Sequence, residues 1–250
     1  MLQPLKTETG LEAWLAAAGF PGCVPQPLPG DVSPRRYTRL VGSGGSAILA
    51  TYPPDIRGTC TRFLRTTELL LQAGVPVPRV LASSCDEGWM LVEDLGPQTL
   101  GEWGRDRPWS ELSPYFERAL ELADRIGRIP VERVEGLNPR LGGELLRREL
   151  AQTWDLFLEP RGLAIPALGA VLDEICANLD AETPVSCHRD FMVRNLMPLP
   201  ASGSDTGLIV LDHQDLRLGP PAYDLASLLN DTLFPPPELE EALLARTSVD

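Results

Sequence analysis

The stretch Cys187-His188-Arg189-Asp190-Phe191-Met192-Val193-Arg194-Asn195-Leu196 decides how this chain is read. It has the form H-R-D-x-x-x-x-N. Downstream, Leu208-Ile209-Val210-Leu211-Asp212 is an apolar run that closes on an acid, as a buried strand does when it delivers a carboxylate at its end. A loop carboxylate, an amide five residues on and a second carboxylate at a strand end form a set of hard oxygen donors. Such donors suit a divalent cation, and one of the carboxylates is left to accept a proton. Each piece alone is weak, and their order gives them meaning.

This order is the catalytic-loop pattern of kinase-fold phosphotransferases. Phosphoryl transfer asks for positioned phosphates, Mg²⁺ and a carboxylate that takes the hydroxyl proton. Asp190 sits where that carboxylate belongs, and Asn195 and Asp212 are the candidate ligands of Mg²⁺ carried with ATP. The two histidines of the chain, His188 and His213, both lie in these segments. His188 reads as a packing and hydrogen-bonding residue that shapes the loop, and His213 as packing against the metal-binding segment.

The rest of the chain must supply a body for this loop. At 250 residues it is long enough for one large domain or two lobes, and 43% apolar with 23% charged residues is ordinary for a soluble protein. A net charge of −13 argues against nucleic acid as partner, which needs a basic patch. Five scattered cysteines without a C-x-x-C argue against a disulfide framework or a zinc site. No apolar stretch approaches the ~20 residues of a membrane span, and no signal peptide is visible at Met1–Glu8. The expectation is a cytoplasmic protein with reduced thiols, a small-molecule substrate and no membrane partner; oligomeric state is left open.

Thr9-Gly10-Leu11-Glu12 fits a capping box, with Leu11, Trp14, Leu15 and Ala18 at helical spacing, so a helix is expected near 9–19. Residues 21–34 are Pro/Gly-rich and read as loop or edge strand. Strands at 36–41 and 46–52 form a hairpin around Gly42-Ser43-Gly44-Gly45. A helix at 59–73 and strands near 79–82 and 89–93 follow. From Leu95 the pattern is helical, with helices at 111–128, 145–158 and 168–179. A short strand precedes His188, a strand covers 208–212, and helices cover 222–229 and 238–246. The fold class is α+β, a bilobal protein-kinase-like fold. A small β-rich N-lobe spans 1–95 and a mainly helical C-lobe spans 96–250, with the border near Glu93–Pro97.

A second stretch, Asp212-His213-Gln214-Asp215 through Gly219-Pro220-Pro221-Ala222-Tyr223-Asp224-Leu225, makes the likeness specific. With the His188–Asn195 loop it resembles the aminoglycoside phosphotransferase/choline kinase superfamily. Within it, the text is most similar to the sugar kinases that phosphorylate N-acetylmuramate and N-acetylglucosamine at C1. Ser33-Pro34-Arg35-Arg36-Tyr37, Val92-Glu93-Asp94-Leu95-Gly96 and Trp154–Leu158 extend the resemblance over nearly the whole chain.

The resemblance implies roles. Asp190 becomes the base on the sugar hydroxyl, and Asn195 and Asp212 hold Mg²⁺. Backbone groups of Glu93 and Leu95 hold adenine at the hinge, and Asp224 fixes the catalytic loop from the helix that follows. Arg194 and Asp215 each have two readings, substrate contact or an ion pair within the C-lobe. Departures from the family pattern matter as well. The single lysine, Lys6, lies near the N-terminus, so strand 46–52 has none to meet ATP phosphates. Arg35, Arg36 and Arg39 are the candidates to replace it, because a guanidinium binds phosphate bidentately. The phosphate-covering loop is expected near Gly30–Arg35. The C-lobe is shorter than in family members, which is expected to expose apolar surface on helices 145–158 and 222–229. Three readings of function stand: an ATP-dependent amino-sugar kinase, a kinase of another alcohol such as choline or an aminoglycoside, and a nucleotide-binding protein without catalysis.

Overall fold

The computed structural model describes residues 5–29, 34–199 and 206–246, with backbone alone at 5–9. Residues 30–33 of the phosphate-covering loop expected near Gly30–Arg35, and the side chain of Lys6, lie outside the described residues. The chain divides into two units, residues 1–68 with 77–97, and residues 69–76 with 98–250.

The first unit is built on alternation. Strands β1 (Val24–Pro27), β2 (Arg36–Gly42), β3 (Gly45–Thr51), β4 (Val80–Ser84) and β5 (Trp89–Glu93) form an antiparallel sheet in the order β1-β2-β3-β5-β4. Because side chains alternate across a strand, each strand can serve two faces. Leu40, Ala47, Leu49 and Leu91 pack with Leu11, Trp14 and Leu15 of helix α1 (Leu5–Ala17) and with Ala18 just after it. Ala50, Tyr52 and Met90 pack with Cys60 and Phe63 of helix α2 (Arg57–Gln72). Trp14 and Trp89 add a tilted aromatic pair with centroids 5.7 Å apart. The prolines of β1 confine it to the sheet edge. In the β4–β5 turn, Gly88 has φ 78°, and a Cβ there would collide with the Tyr52 carbonyl, so only glycine fits.

Two expectations fail here. Helix α1 begins at Leu5, so Thr9 lies inside the helix and is not its cap. The thiols are not all reduced: Cys60 on α2 and Cys85 after β4 form a disulfide, their Cα atoms 5.5 Å apart. Packing of α2 on the sheet brings together two cysteines that spacing alone does not pair.

In the second unit, α3 (Leu100–Gly104), α4 (Trp109–Gly127), α5 (Val131–Val134), α6 (Gly143–Thr153) and α7 (Pro166–Ala181) precede the loop region. Helix α4 buries the stripe Leu112, Phe116, Ala119, Leu122 and Ile126, as its 3.6-residue period requires. Leu146 of α6 and Cys176 of α7 share a core with Leu141. The helix expected at 145–158 stops at Thr153 and continues as a π-helical turn, Trp154–Leu158, and a 3₁₀ turn, Glu159–Arg161. Pro160 has no N–H to continue the ladder, and Gly162 at φ 68° ends it.

Around that turn and along α7, Leu156, Phe157, Leu163, Ile165, Val171 and Ile175 are exposed. The exposure expected on helix 222–229 is not found: in α8 (Tyr223–Leu229), Leu228 and Leu229 are buried. Helix α9 (Pro237–Leu244) follows the proline run. No helix among the described residues is long and apolar enough to cross a membrane.

Candidate active site

Two short antiparallel ladders carry the motif loops. Strand β6 (Val185–Cys187) pairs with β9 (Arg217–Gly219), and β7 (Leu196–Pro198) with β8 (Leu208–Val210). Residues 188–195 therefore run from β6 to β7, and residues 211–216 run from β8 to β9. Each ladder holds one end of both loops, so the two stay side by side. The Leu211 N–H donates to the Asn195 carbonyl at 2.8 Å, and His188 Nε2 meets the Leu211 carbonyl at 2.9 Å. A carbonyl can only accept, so Nε2 carries the proton. His188 is fully buried, edge-on to Phe191 at 5.7 Å, and shapes the loop.

The loop backbone is held from α8. The Asp224 carboxylate accepts the His188 N–H at 2.6 Å and the Arg189 N–H at 3.0 Å. Burial pushes its carboxyl above the usual range, while the nearby His188 and the two N–H groups favour the charged form. Arg189 has φ 81°, in the left-handed region that a non-glycine residue occupies only when its surroundings insist. The Asp190 carbonyl then accepts the Met192 N–H at 2.9 Å and Asn195 Nδ2 at 2.8 Å. That bond fixes the Asn195 amide and turns its Oδ1 away from Asp190.

On the second loop, Asp212 also has a positive φ, 56°, at the head of a 3₁₀ turn, His213–Asp215. Asn138 Nδ2 clamps this turn by donating to the Gln214 and Leu216 carbonyls, both at 3.0 Å. His213 is buried. The Asn195 amide oxygen and the Asp212 carboxylate are donors of the kind Mg²⁺ takes.

Around Asp190 lies a charge cluster that the sequence did not reveal. Arg189 Nη1 donates to Asp190 Oδ2 at 3.2 Å, and its Nη2 donates to Glu149 Oε1 on α6 at 3.0 Å. Asp215 stands 3.9 Å from Arg189 Nη1 and 3.4 Å from Arg217 Nη2. Burial works against the Arg189 charge, but Asp190 and Glu149 outweigh it and raise its pKa. For Arg217 burial dominates and lowers it. Tyr223, beside this cluster, is pushed up to about 12 by burial and then by Glu149. Arg194 is exposed and 3.8 Å from the buried Asp231. Asp215 and Arg194 thus each have an ion-pair partner within the second unit. Arg189 was in plain sight within H-R-D, but Glu149, Arg217 and Asp231 carried no spacing signal.

In the first unit the candidate nucleotide residues separate. Arg39 makes a bidentate pair with Asp94, 2.8 and 3.0 Å, and donates to the Gly96 carbonyl at 2.8 Å. It therefore braces the segment 94–96 and is unsuited to be the replacement phosphate ligand. Burial raises the Asp94 carboxyl, but hydrogen bonds from Ser46, Arg39 and the Gly96 N–H bring it below the usual range. The Glu93 N–H donates to the Arg79 carbonyl at 3.0 Å, and the Glu93 carboxylate binds Arg79. Leu95 follows, half-buried. Arg36 is exposed at the start of β2, while Arg35 lies over the Tyr37 ring at 5.8 Å.

The profile of the phosphotransferase enzyme family APH matches residues 24–249. The chain belongs to this family. An N-acetylmuramate/N-acetylglucosamine kinase of Pseudomonas aeruginosa is 33% identical over 225 residues, covering 87% of this chain and 63% of the relative. A protein of the same name from Caulobacter vibrioides is 29% identical over 289 residues, covering 97% and 78%. The chain thus spans less than two thirds of the Pseudomonas relative. Among solved structures, the aminoglycoside phosphotransferase APH(3'')-Id of Streptomyces rimosus, in complex with ADP and streptomycin, superposes with a TM-score of 0.68. It is 19% identical, with 99% of this chain and 93% of that one covered. At that identity the likeness speaks for the fold, and the fold is the α+β, protein-kinase-like one.

Proposed function

We propose that this APH-family protein is an ATP-dependent phosphotransferase that phosphorylates a hydroxyl of a small molecule, the anomeric hydroxyl of N-acetylmuramate or N-acetylglucosamine. The observation that carries the reading is the Asp190 loop. It is anchored by Asp224 and bonded to the Asp212 segment, in a chain a third identical to a kinase of these sugars.

Asp190 would accept the proton of the attacking hydroxyl. Asn195 Oδ1 and Asp212 would hold Mg²⁺, which when bound offsets the phosphate charge. Asp215 and Arg194 would meet the acceptor or the transferring group by exchanging their present ion pairs for it. The backbone of Glu93 and Leu95 is assigned to adenine, and Arg36 to phosphate in place of the lysine. His188 and Asp224 keep the loop in shape. The reaction belongs in the cytoplasm, where ATP is supplied; in that reducing compartment the Cys60–Cys85 bridge would be open to reduction.

The test is ADP release from Mg-ATP with N-acetylmuramate, N-acetylglucosamine and a panel of other alcohols. Product with the two sugars is expected. A second reading, a cationic acceptor, is favoured by the surplus of carboxylate in the cluster: Asp190, Asp215 and Glu149 against Arg189 and Arg217. Preference for choline or an aminoglycoside over the neutral sugar would establish it. Mg-ATP binding without product from any acceptor would leave a non-catalytic nucleotide-binding protein.

A further inference from the structure

We propose that Glu149 is a positioning residue for the base: it holds one arm of the Arg189 guanidinium and so keeps Arg189 from closing on both oxygens of Asp190. This rests on the reading of Asp190 as the proton acceptor. Glu149 lies on α6, more than forty residues before Asp190 in sequence, and belongs to none of the motifs above.

The guanidinium is a planar fork, and its strongest partnership with a carboxylate is two parallel N–H···O bonds. Here the fork is split. Nη1 donates to Asp190 Oδ2 at 3.2 Å, and Nη2 donates to Glu149 Oε1 at 3.0 Å. Only one Asp190 oxygen is therefore engaged by Arg189, which leaves Oδ1 to meet a hydroxyl. The backbone of Arg189 cannot move to change this, because Asp224 holds its N–H and its φ of 81°. The side chain can move, and Glu149 is what restrains it.

Asp215 cannot take over. It lies nearest Nη1, at 3.9 Å, and already pairs with Arg217 at 3.4 Å. Glu149 itself has a firm base, since Leu146 on the same helix shares a buried core with Leu141 and Cys176 of α7, and Leu150 packs against that core. The side chains of Arg189, Glu149, Asp190 and Asp215 are each about a third exposed, at 30, 32, 31 and 30%. Water is thus present to solvate the arm if Glu149 is lost, but the Asp190 carboxylate beside it is the stronger partner.

The experiment compares Glu149→Ala, Arg189→Met and the double variant. We expect Glu149→Ala to lower kcat about tenfold, within the range for coupled neighbours, with the KM for ATP and the thermal midpoint unchanged. In the Arg189→Met background the same substitution should cost nothing further, because its effect runs through Arg189. Glu149→Gln, which keeps an acceptor oxygen, should fall between, and it serves in place of the alanine variant should that one not fold.

A crystal structure of Glu149→Ala is the second arm, with the Arg189 fork expected on both Asp190 oxygens. Equal losses in the two backgrounds, or an Arg189 side chain that stays in place, would overturn the proposal. If the parent protein phosphorylates no acceptor, the reading of Asp190 falls, and the crystal arm alone still decides the role of Glu149.

Discussion

Replacing Asp224 by asparagine is the sharpest probe of how the loop is held. The amide keeps the shape but offers one acceptor where the carboxylate offers two. One of the two N–H groups, His188 at 2.6 Å or Arg189 at 3.0 Å, must then face an N–H₂ group in a buried place. An orphaned buried donor costs about 1–3 kcal/mol, and the surviving bond weakens by about 1 kcal/mol when its acceptor loses its charge. Relief of the buried charge returns part of this, as the raised carboxyl pKa of Asp224 indicates. A net loss of about 2–3 kcal/mol follows, or a fall of about 5–10 °C in thermal midpoint for a chain of this length.

The functional effect is larger. The left-handed backbone at Arg189 costs about 1–2 kcal/mol and persists because Asp224 holds it. Once released, the backbone relaxes and carries Asp190 with it. A displacement of about 1 Å costs about 100-fold in rate. The assay is steady-state kinetics beside thermal unfolding, with the KM for ATP as control. A folded variant with the parent kcat would refute the claim that Asp224 sets the position of the base.

Asp190→Asn should lower kcat by about 10²- to 10⁴-fold, the usual worth of a positioned proton acceptor, with the thermal midpoint kept; equal turnover by variant and parent would remove Asp190 as base. Reducing the Cys60–Cys85 bridge, whose partners are 25 residues apart, should cost about 3.5 kcal/mol by loop entropy. Urea unfolding with and without dithiothreitol reads this, and a double Cys→Ser variant should be indifferent to the reductant. The folded carboxyl of Asp94 lies below the ordinary 3.8, so its contribution is complete above that value and is lost as pH falls through the lowered one. Urea midpoints between about pH 5 and pH 2 should therefore fall less steeply in Asp94→Asn than in the parent.

What the sequence made legible follows from the range of the forces involved. The alternation in β3 and β5 and the stripe of α4 report burial directly, because a one-residue slip would turn Ala47, Leu49 and Leu91 away from α1. The loop motifs were legible because their chemistry is compressed into a few residues: Asn195 reaches the Asp190 carbonyl from five positions away. Partnerships made by folding left no such trace. Arg39 reads as a spare phosphate ligand beside Arg35 and Arg36 until β2 and β5 place it against Asp94, 55 residues distant. Glu149 reads as one more charge on an amphipathic helix until α6 sets it 3.0 Å from Arg189. The same holds for Cys60 and Cys85. In each case a local pattern specified the element and tertiary packing chose the partner. In the charge cluster around Asp190 the pairs Arg189–Glu149 and Arg189–Asp215 are choices of the second kind, so two chains can share the H-R-D loop and still present different charges to their acceptors. For that reason the variants at Glu149, Arg189 and Asp215, more than those at Asp190 and Asp212, are expected to move acceptor preference.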